Sequence, residues 1–155
     1  MSETKEIREI TEGELPAALK DHWKNAKASV ERNNHGYAIK FLQAILKEEP
    51  GFLNARKLVR QAEIIESGAA PGAAKKGLFG SSGGGGSSFT RQAKKDPIGA
   101  LIAIEKELEK DPFNCSVNEA FHEIALRMNL LDTAAFALET AKTGSPENTK
   151  VAHKL

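Results

Sequence analysis

The stretch DPIGALIAIEKELEKDP, residues 96–112, decides the fold of this chain. Asp96 is a favoured N-cap residue, and Pro97 suits the first helical position because its missing N–H needs no partner there. Apolar residues then recur on one face with helical spacing, at Ile98, Leu101, Ile104 or Glu105, and Leu108. The pair Asp111-Pro112 ends the pattern, since proline cannot continue a helix. The stretch therefore predicts a helix over residues 97–110.

The same pattern returns 34 residues further along the chain. Residues at this offset are identical or both apolar in three pairs: Ala100 and Ala134, Ile104 and Leu138, Pro112 and Pro146. A small alanine also stands 12 residues before a proline three times: Ala38 before Pro50, Ala100 before Pro112, and Ala134 before Pro146. Two antiparallel helices approach closely only where a small residue lies at their crossing, and the proline ends the second helix. The spacing predicts repeated pairs of packed helices.

Helical spacing recurs elsewhere, whereas no stretch alternates apolar and polar residues as a strand does. Further apolar stripes comprise Leu19, Trp23, Ala26 and Val30; Ala38, Leu42, Ile45 and Leu46; Leu58, Val59, Ala62 and Ile65; Val117, Ala120, Phe121, Ile124 and Met128; and Ala134, Ala135, Leu138 and Ala141. Breaks separate them at residues 33–36, 50–51 and 144–146. Ser116 with Glu119 is expected to form a capping box, and Asp132 to cap the following helix. These patterns predict an all-α fold.

Residues 67–94, called the Gly/Ser segment here, interrupt this regularity. They hold 8 of the 13 glycines and no acidic residue. Such a composition cannot bury enough apolar surface to offset its ordering entropy, which predicts a flexible insertion or linker. Its centre, residues 80–88, is consistent with a natural loop or with an engineered linker. Pro50 and Pro112 lie one repeat plus 28 residues apart. We therefore expect helices 52–66 and 97–110 to be two halves of one interrupted repeat.

Both chain ends differ from this central pattern. Residues 1–15 mix charges of both signs without a long apolar run, which predicts a flexible lead before a helical domain over residues 16–155. Residues 148–155 match the opening of one more helix pair and stop without its partner helix. This pattern is consistent with a chain cut short at this end, or with Val151 and Leu155 serving as a partial cap of the solenoid.

Composition excludes several function classes. The chain has 22 basic and 21 acidic residues, so it lacks the basic surplus of a nucleic-acid binder. No apolar run approaches the 20 or so residues that a membrane span requires. Cys115 is the only cysteine, which excludes an internal disulfide and favours a reducing, cytoplasmic location.

Candidate chemical groups are few. Cys115 and His122 could share a helix face, but no His or Cys pair has the spacing of a structural zinc site. No oxyanion-hole motif accompanies that pair, and Gly80 to Ser88 lacks the Gly-Lys-Ser/Thr ending of a phosphate-binding loop. We expect no catalytic, metal or cofactor-binding residue, and we expect Trp23 to lie in the core.

The repeated pattern resembles the tetratricopeptide repeat (TPR) family. The residues that carry the resemblance are Trp23, Ala38, Leu42, Ile45 and Pro50; Ala100, Ile104, Leu108 and Pro112; and Phe121, Ala125, Ala134, Leu138, Ala141 and Pro146. The resemblance implies a solenoid of antiparallel helix pairs. It would contain about three repeats and the start of a fourth, with the second interrupted by the Gly/Ser segment.

The resemblance also implies a function. In TPR proteins the first helices of successive repeats line a concave groove that binds a peptide of another protein. Here the candidate groove residues are Lys24, Asn54, Lys57, Gln61, Glu119, Glu123 and Arg127. We therefore expect a non-enzymatic scaffold for a protein or peptide partner. The alternative is a self-assembling repeat protein whose open ends, such as Val151 and Leu155, stack on another copy.

Overall fold

The computed structural model describes residues 7–69 and 85–144. Seven α-helices account for most of these residues: α1 Ala17–Glu31, α2 His35–Glu48, α3 Leu53–Ser67, α4 Gly85–Ala93, α5 Pro97–Lys110, α6 Cys115–Arg127 and α7 Leu131–Gly144. One isolated bridge, between Ile10 and Phe52, is the only strand-like pairing in the described ranges. The all-helical fold that the sequence predicts is therefore confirmed for this part of the chain.

Helices α1 to α3 pack around a core of their own, called the first core here. Trp23 lies at its centre, 7% exposed, and its ring meets that of Phe52 edge-on with centroids 4.8 Å apart. Leu42 and Ile45 of α2 and Val59 of α3 are completely buried beside them. The prediction that Trp23 is a core residue is confirmed.

Helices α4 to α7 enclose a second core, in which four alanines lie among larger apolar side chains. Ala100 of α5, Ala125 of α6, and Ala134 and Ala137 of α7 are all at most 1% exposed. Phe121 of α6 is also completely buried there. Alanines at these positions let helix axes approach closely, as their spacing in the sequence predicts. Ala135, by contrast, is exposed and does not belong to the apolar face of α7.

Two turns each contain an asparagine in the left-handed backbone conformation. Asn33 follows α1 with φ of 60°, and Asn129 follows α6 with φ of 62°. Asparagine adopts this left-handed conformation more readily than other residues with a side chain. Each therefore ends one helix and allows the next to fold back after a short connection. The sequence predicts the first of these breaks at residues 33–36.

Helix α4 was not predicted, because it lies within the Gly/Ser segment. It packs against α5 and α6, with Phe89 and Ala93 against the second core. A side chain at Gly86 would collide with Ser116, with its Cβ only 2.6 Å from the Ser116 Oγ. Glycine therefore allows α4 to approach α6 closely at this point. Helix α5 packs against α4, which precedes it in the chain, and also against α3, so helix 97–110 contacts both α4 and helix 52–66.

The remaining residues of the Gly/Ser segment, 70–84, lie outside the described residues. Its predicted flexibility stays a prediction there. The expected fourth-repeat start, residues 148–155, with Val151 and Leu155, also lies outside them.

Helix starts agree only partly with the predicted caps. Asp96 caps α5, because its Oδ1 accepts a hydrogen bond from the Gly99 N–H at 3.0 Å. At α6 the cap is Asn114, whose Oδ1 accepts from the Val117 N–H at 2.9 Å, rather than the expected Ser116. Asp132 lies inside the first turn of α7 and is not its cap.

Residues 7–15, part of the expected flexible lead, lie along the helices. The Ile10 N–H donates to the Gly51 carbonyl at 3.0 Å, and Leu15 is 3% exposed in the first core. Glu9 Oε2 accepts from both the N–H and the hydroxyl of Thr133, at 2.6 and 2.8 Å. A carboxylate at this position satisfies a free donor in the first turn of α7. This short segment therefore contacts both cores.

Candidate functional site

A buried charge cluster lies where the two cores meet. It consists of Arg56, Arg60 and Glu63 of α3 with Glu105 of α5, and each side chain is at most 5% exposed. Arg56 Nη1 donates to Glu105 Oε2 at 2.6 Å. Arg60 donates to both Glu105 oxygens, at 2.9 and 3.0 Å, and to Glu63 Oε1 at 2.6 Å. One carboxylate of α5 thus binds two guanidinium groups of α3.

Burial and neighbouring charges separate the pKa values of the two carboxyl groups. Burial raises the pKa of Glu63 to about 8, and the nearby Glu105 carboxylate adds to the rise. Burial acts on Glu105 in the same direction, but Arg60 and Arg56 outweigh it and lower its pKa. Because it receives hydrogen bonds from both arginines, Glu105 is the carboxylate that carries charge in the cluster.

Aromatic rings extend the cluster towards α6 and α7. The Arg56 guanidinium lies 5.0 Å from the ring centroid of Phe121, and that of Arg60 lies 5.8 Å from Phe136. Both are within the range of a cation–π contact. Helix α3 therefore joins the first core to three helices of the second.

A groove opens beside this cluster between α3 and α7, called the α3–α7 groove here. Its volume is about 430 Å³. The apolar part of its lining comprises Ile64, Ile65, Phe113 and Phe136, and the polar part comprises Lys57, Arg60, Gln61, Glu139, Thr140 and Thr143. Two of the predicted groove residues, Lys57 and Gln61, therefore lie in a real depression of the surface.

Other predicted groove residues line a different crevice. Glu119 and Glu123 of α6 face α4, around a space of about 240 Å³ that also includes Gly86 and Ser87. Arg127 is exposed and lies 3.9 Å from Glu123, one helical turn away. This crevice exists because α4 covers one side of α6, and α4 was not predicted.

The last two predicted groove residues line neither space. Lys24 of α1 and Asn54 of α3 are both exposed. The structure thus brings Lys57 together with Gln61, and Glu119 with Glu123, but it does not gather all seven predicted residues on one surface.

The charge cluster was not predicted from the sequence. One signal was present, because Glu105 falls among the apolar residues that face the core in helix 97–110. A carboxylate at such a position requires a buried partner. The apolar periodicity of a helix could not identify these partners, because Arg56 and Arg60 lie 49 and 45 residues earlier in the chain than Glu105.

Cys115 and His122 both contact residues of α7. Cys115 packs beside Leu138 and Ala141, and His122 Nδ1 lies 2.9 Å from the Ala134 carbonyl oxygen. Within residues 7–69 and 85–144, no three His, Cys, Asp or Glu side chains are grouped so that they could hold a metal ion. None of the described helices combines the length and apolar character needed to cross a membrane.

Comparison of the chain with protein-family models, curated proteins and solved structures found no match in any of the three.

Proposed function

We propose that this chain is a non-enzymatic protein-interaction module that binds a peptide segment of a partner protein in the α3–α7 groove. The observation that supports the proposal is Ile65, a large apolar side chain that is 51% exposed at the edge of this groove. Ile64 and Phe136 continue the apolar lining. An apolar floor with polar groups around it is the usual composition of a binding surface.

The charges at the groove favour a particular peptide. Lys57 lies on the α3 side and Glu139 on the α7 side. A segment that places one apolar side chain against Ile65 and Phe136, with an acidic and a basic residue on either side, would match both. Opposite charges on the two sides also favour one direction of the bound peptide.

The proposal includes the TPR-like architecture that the sequence resembles. The close packing at Ala100 and Ala134 supports it, because these alanines lie at equivalent positions 34 residues apart and are both buried. In this view α4–α5 and α6–α7 are consecutive helix pairs. The proposed location is the cytoplasm, as expected from a single cysteine.

Peptide selection tests the proposal. The full chain is immobilised and used to select from a phage-displayed library of random peptides, and the affinity of the selected peptides is measured by titration. Ile65→Asp should weaken binding by about tenfold or more, because it removes an apolar contact and places a charge at the groove. The substitution should change stability little, since the side chain is half exposed.

Leu126→Asp provides the matched control. Leu126 of α6 is 47% exposed and does not line the groove, so binding of the selected peptides should stay within about twofold. An equal loss in both variants, or selection of no peptide, would contradict the proposal. Sedimentation of the free chain provides a second test, because a mass that rises with concentration and falls in Ile65→Asp would favour self-assembly instead.

A further inference from the structure

A second cavity also borders the charge cluster. It is located between α2 and α5 and has a volume of about 200 Å³. Arg56 and Glu105 form part of its wall, whereas Arg60 of the same cluster lines the α3–α7 groove. The remaining apolar wall comprises Ala44, Leu46, Leu101 and Ile102.

Positive charge dominates this cavity. Lys40 and Lys47 of α2 and Lys106 of α5 all line it and are exposed. None of these lysines lies in an ion pair with another described residue. Glu105 is the only acidic residue in the lining, and it already binds two arginines. Three ammonium groups therefore surround one small space. The Lys40 ammonium also lies 6.0 Å from the ring centroid of Tyr37, and the lining residue Gln43 donates a hydrogen bond to Glu109 at 2.9 Å.

A buried arginine completes the lining of the cavity. Arg56 is 1% exposed, and its two terminal nitrogens donate to Glu105 and to the Pro50 carbonyl. Its Nε is buried without a hydrogen-bond partner in the described part of the chain. The lining thus combines three exposed lysines, a buried arginine and an apolar wall.

We propose that the α2–α5 cavity binds a small organic anion, with one carboxylate or phosphate group directed at the lysines and a short apolar body against Leu101 and Ile102. The volume fits such a ligand, because a cavity of about 150 Å³ holds a benzene molecule, and the present one is slightly larger. The lysines supply long-range attraction, and the apolar wall discriminates against simple inorganic ions.

Isotope-edited amide spectra of the full chain test this site with four probes. Hexanoate and butyl phosphate should cause saturable shifts on α2 and α5, centred on Gln43, Leu101 and Lys106. Hexanamide has the same shape without the charge, and inorganic phosphate has the charge without the apolar body. Hexanamide should bind at least about tenfold more weakly than hexanoate, and inorganic phosphate at least about tenfold more weakly than butyl phosphate. Added salt should weaken hexanoate binding, because the lysines are exposed.

The double variant Lys47→Gln with Lys106→Gln should weaken hexanoate binding by about tenfold. Lys142→Gln is the control, because Lys142 is exposed on α7 and does not line the cavity. Ile65→Asp should leave hexanoate binding unchanged, so this site can fail or succeed independently of the peptide groove. Absence of saturable shifts with both organic anions, equal binding of hexanoate and hexanamide, or unchanged affinity in the double variant would overturn the proposal.

Discussion

The first and second cores both contain buried alanines and differ in their aromatic residues. The first, formed by α1 to α3, is built around the aromatic pair Trp23 and Phe52. The second, formed by α4 to α7, has the single buried ring of Phe121 among its described residues. Each core has four alanines that are at most 1% exposed: Ala26, Ala38, Ala55 and Ala62 in the first, and Ala100, Ala125, Ala134 and Ala137 in the second. Each core is assembled from helices that are near neighbours in the chain. Apolar periodicity therefore predicts the helices of the first core and α5 to α7 of the second, but not α4, which packs Phe89 and Ala93 against the second core.

The contact between the cores follows a different principle. Its centre is the charge cluster, in which Glu105 of one side accepts hydrogen bonds from Arg56 and Arg60 of the other. A buried ion cluster adds little net stability compared with an apolar contact, but removal of one partner is costly. Apolar side chains therefore fill the two cores, whereas buried charges lie at the centre of the contact between them.

The largest expected effect comes from breaking this contact. Glu105→Gln should lower the free energy of unfolding by about 3–5 kcal/mol, because two buried guanidinium groups lose their shared carboxylate. Denaturant titration measures the change. Glu123→Gln is the control, since its ion pair with Arg127 is exposed and 3.9 Å long, and it should cost under about 0.5 kcal/mol. Similar losses in the two variants would mean that the cluster does not join the cores.

A smaller loss of stability is expected when a larger side chain replaces a buried alanine of the second core. Ala134→Leu should destabilise the chain by about 1–3 kcal/mol, because Ala134 is 1% exposed and extra methylene groups must enter a close helix contact. Ala100→Leu should behave in the same way. Ala135→Leu, at an exposed position next in the chain, should have little effect in thermal melting. Equal melting temperatures for all three variants would contradict the close crossing.

The pH dependence of stability sharpens the description of the cluster. Glu63 has an ordinary pKa of 4.5 and a raised pKa of about 8 in the folded chain. Between these values the folded state binds more protons than the unfolded state, so its contribution to stability falls as the pH rises. Glu105 has the opposite effect, because its pKa is lowered in the folded chain. Its contribution to the free energy of unfolding is present above its ordinary pKa and is lost as the pH falls through the lowered value.

In the parent chain, Glu63 should make the free energy of unfolding fall between about pH 5 and pH 8, and Glu63→Gln should remove this fall. Relative to the parent chain, the variant should therefore gain at least about 1 kcal/mol of stability between pH 5 and pH 8. Urea titrations of both proteins across this range provide the measurement. Parallel curves for the two proteins would show that Glu63 does not hold a proton in the folded chain.

The smallest expected effect on stability comes from residues 7–15, the segment that contacts both cores. Glu9→Ala should cost about 1 kcal/mol, since the Thr133 N–H at the start of α7 loses its acceptor. Exchange of the Thr133 amide proton with solvent should become faster than in the parent chain. Glu12→Ala removes only an exposed pair with Lys27, and it should leave that exchange rate unchanged. A protected Thr133 amide in Glu9→Ala would contradict this role.

The candidate site was only partly predictable. Lys57 and Gln61 line the α3–α7 groove, and their binding of a partner stays a prediction. Glu119 and Glu123 face α4 instead, and that helix is not predictable from the sequence because glycine and serine dominate its first turn. Helix propensity predicts poor helix formation there, and the contacts of α4 with α5 and α6 override it.

The sequence by itself determined six of the seven described helices, the break at residues 33–36 and the Asp96 cap, because each depends on residues close together in the chain. The tertiary structure decided helix α4, the charge cluster and the two cavities beside it. Their physical cause is packing between distant segments: Arg56 and Glu105 are 49 residues apart, and only the approach of α3 to α5 makes them partners.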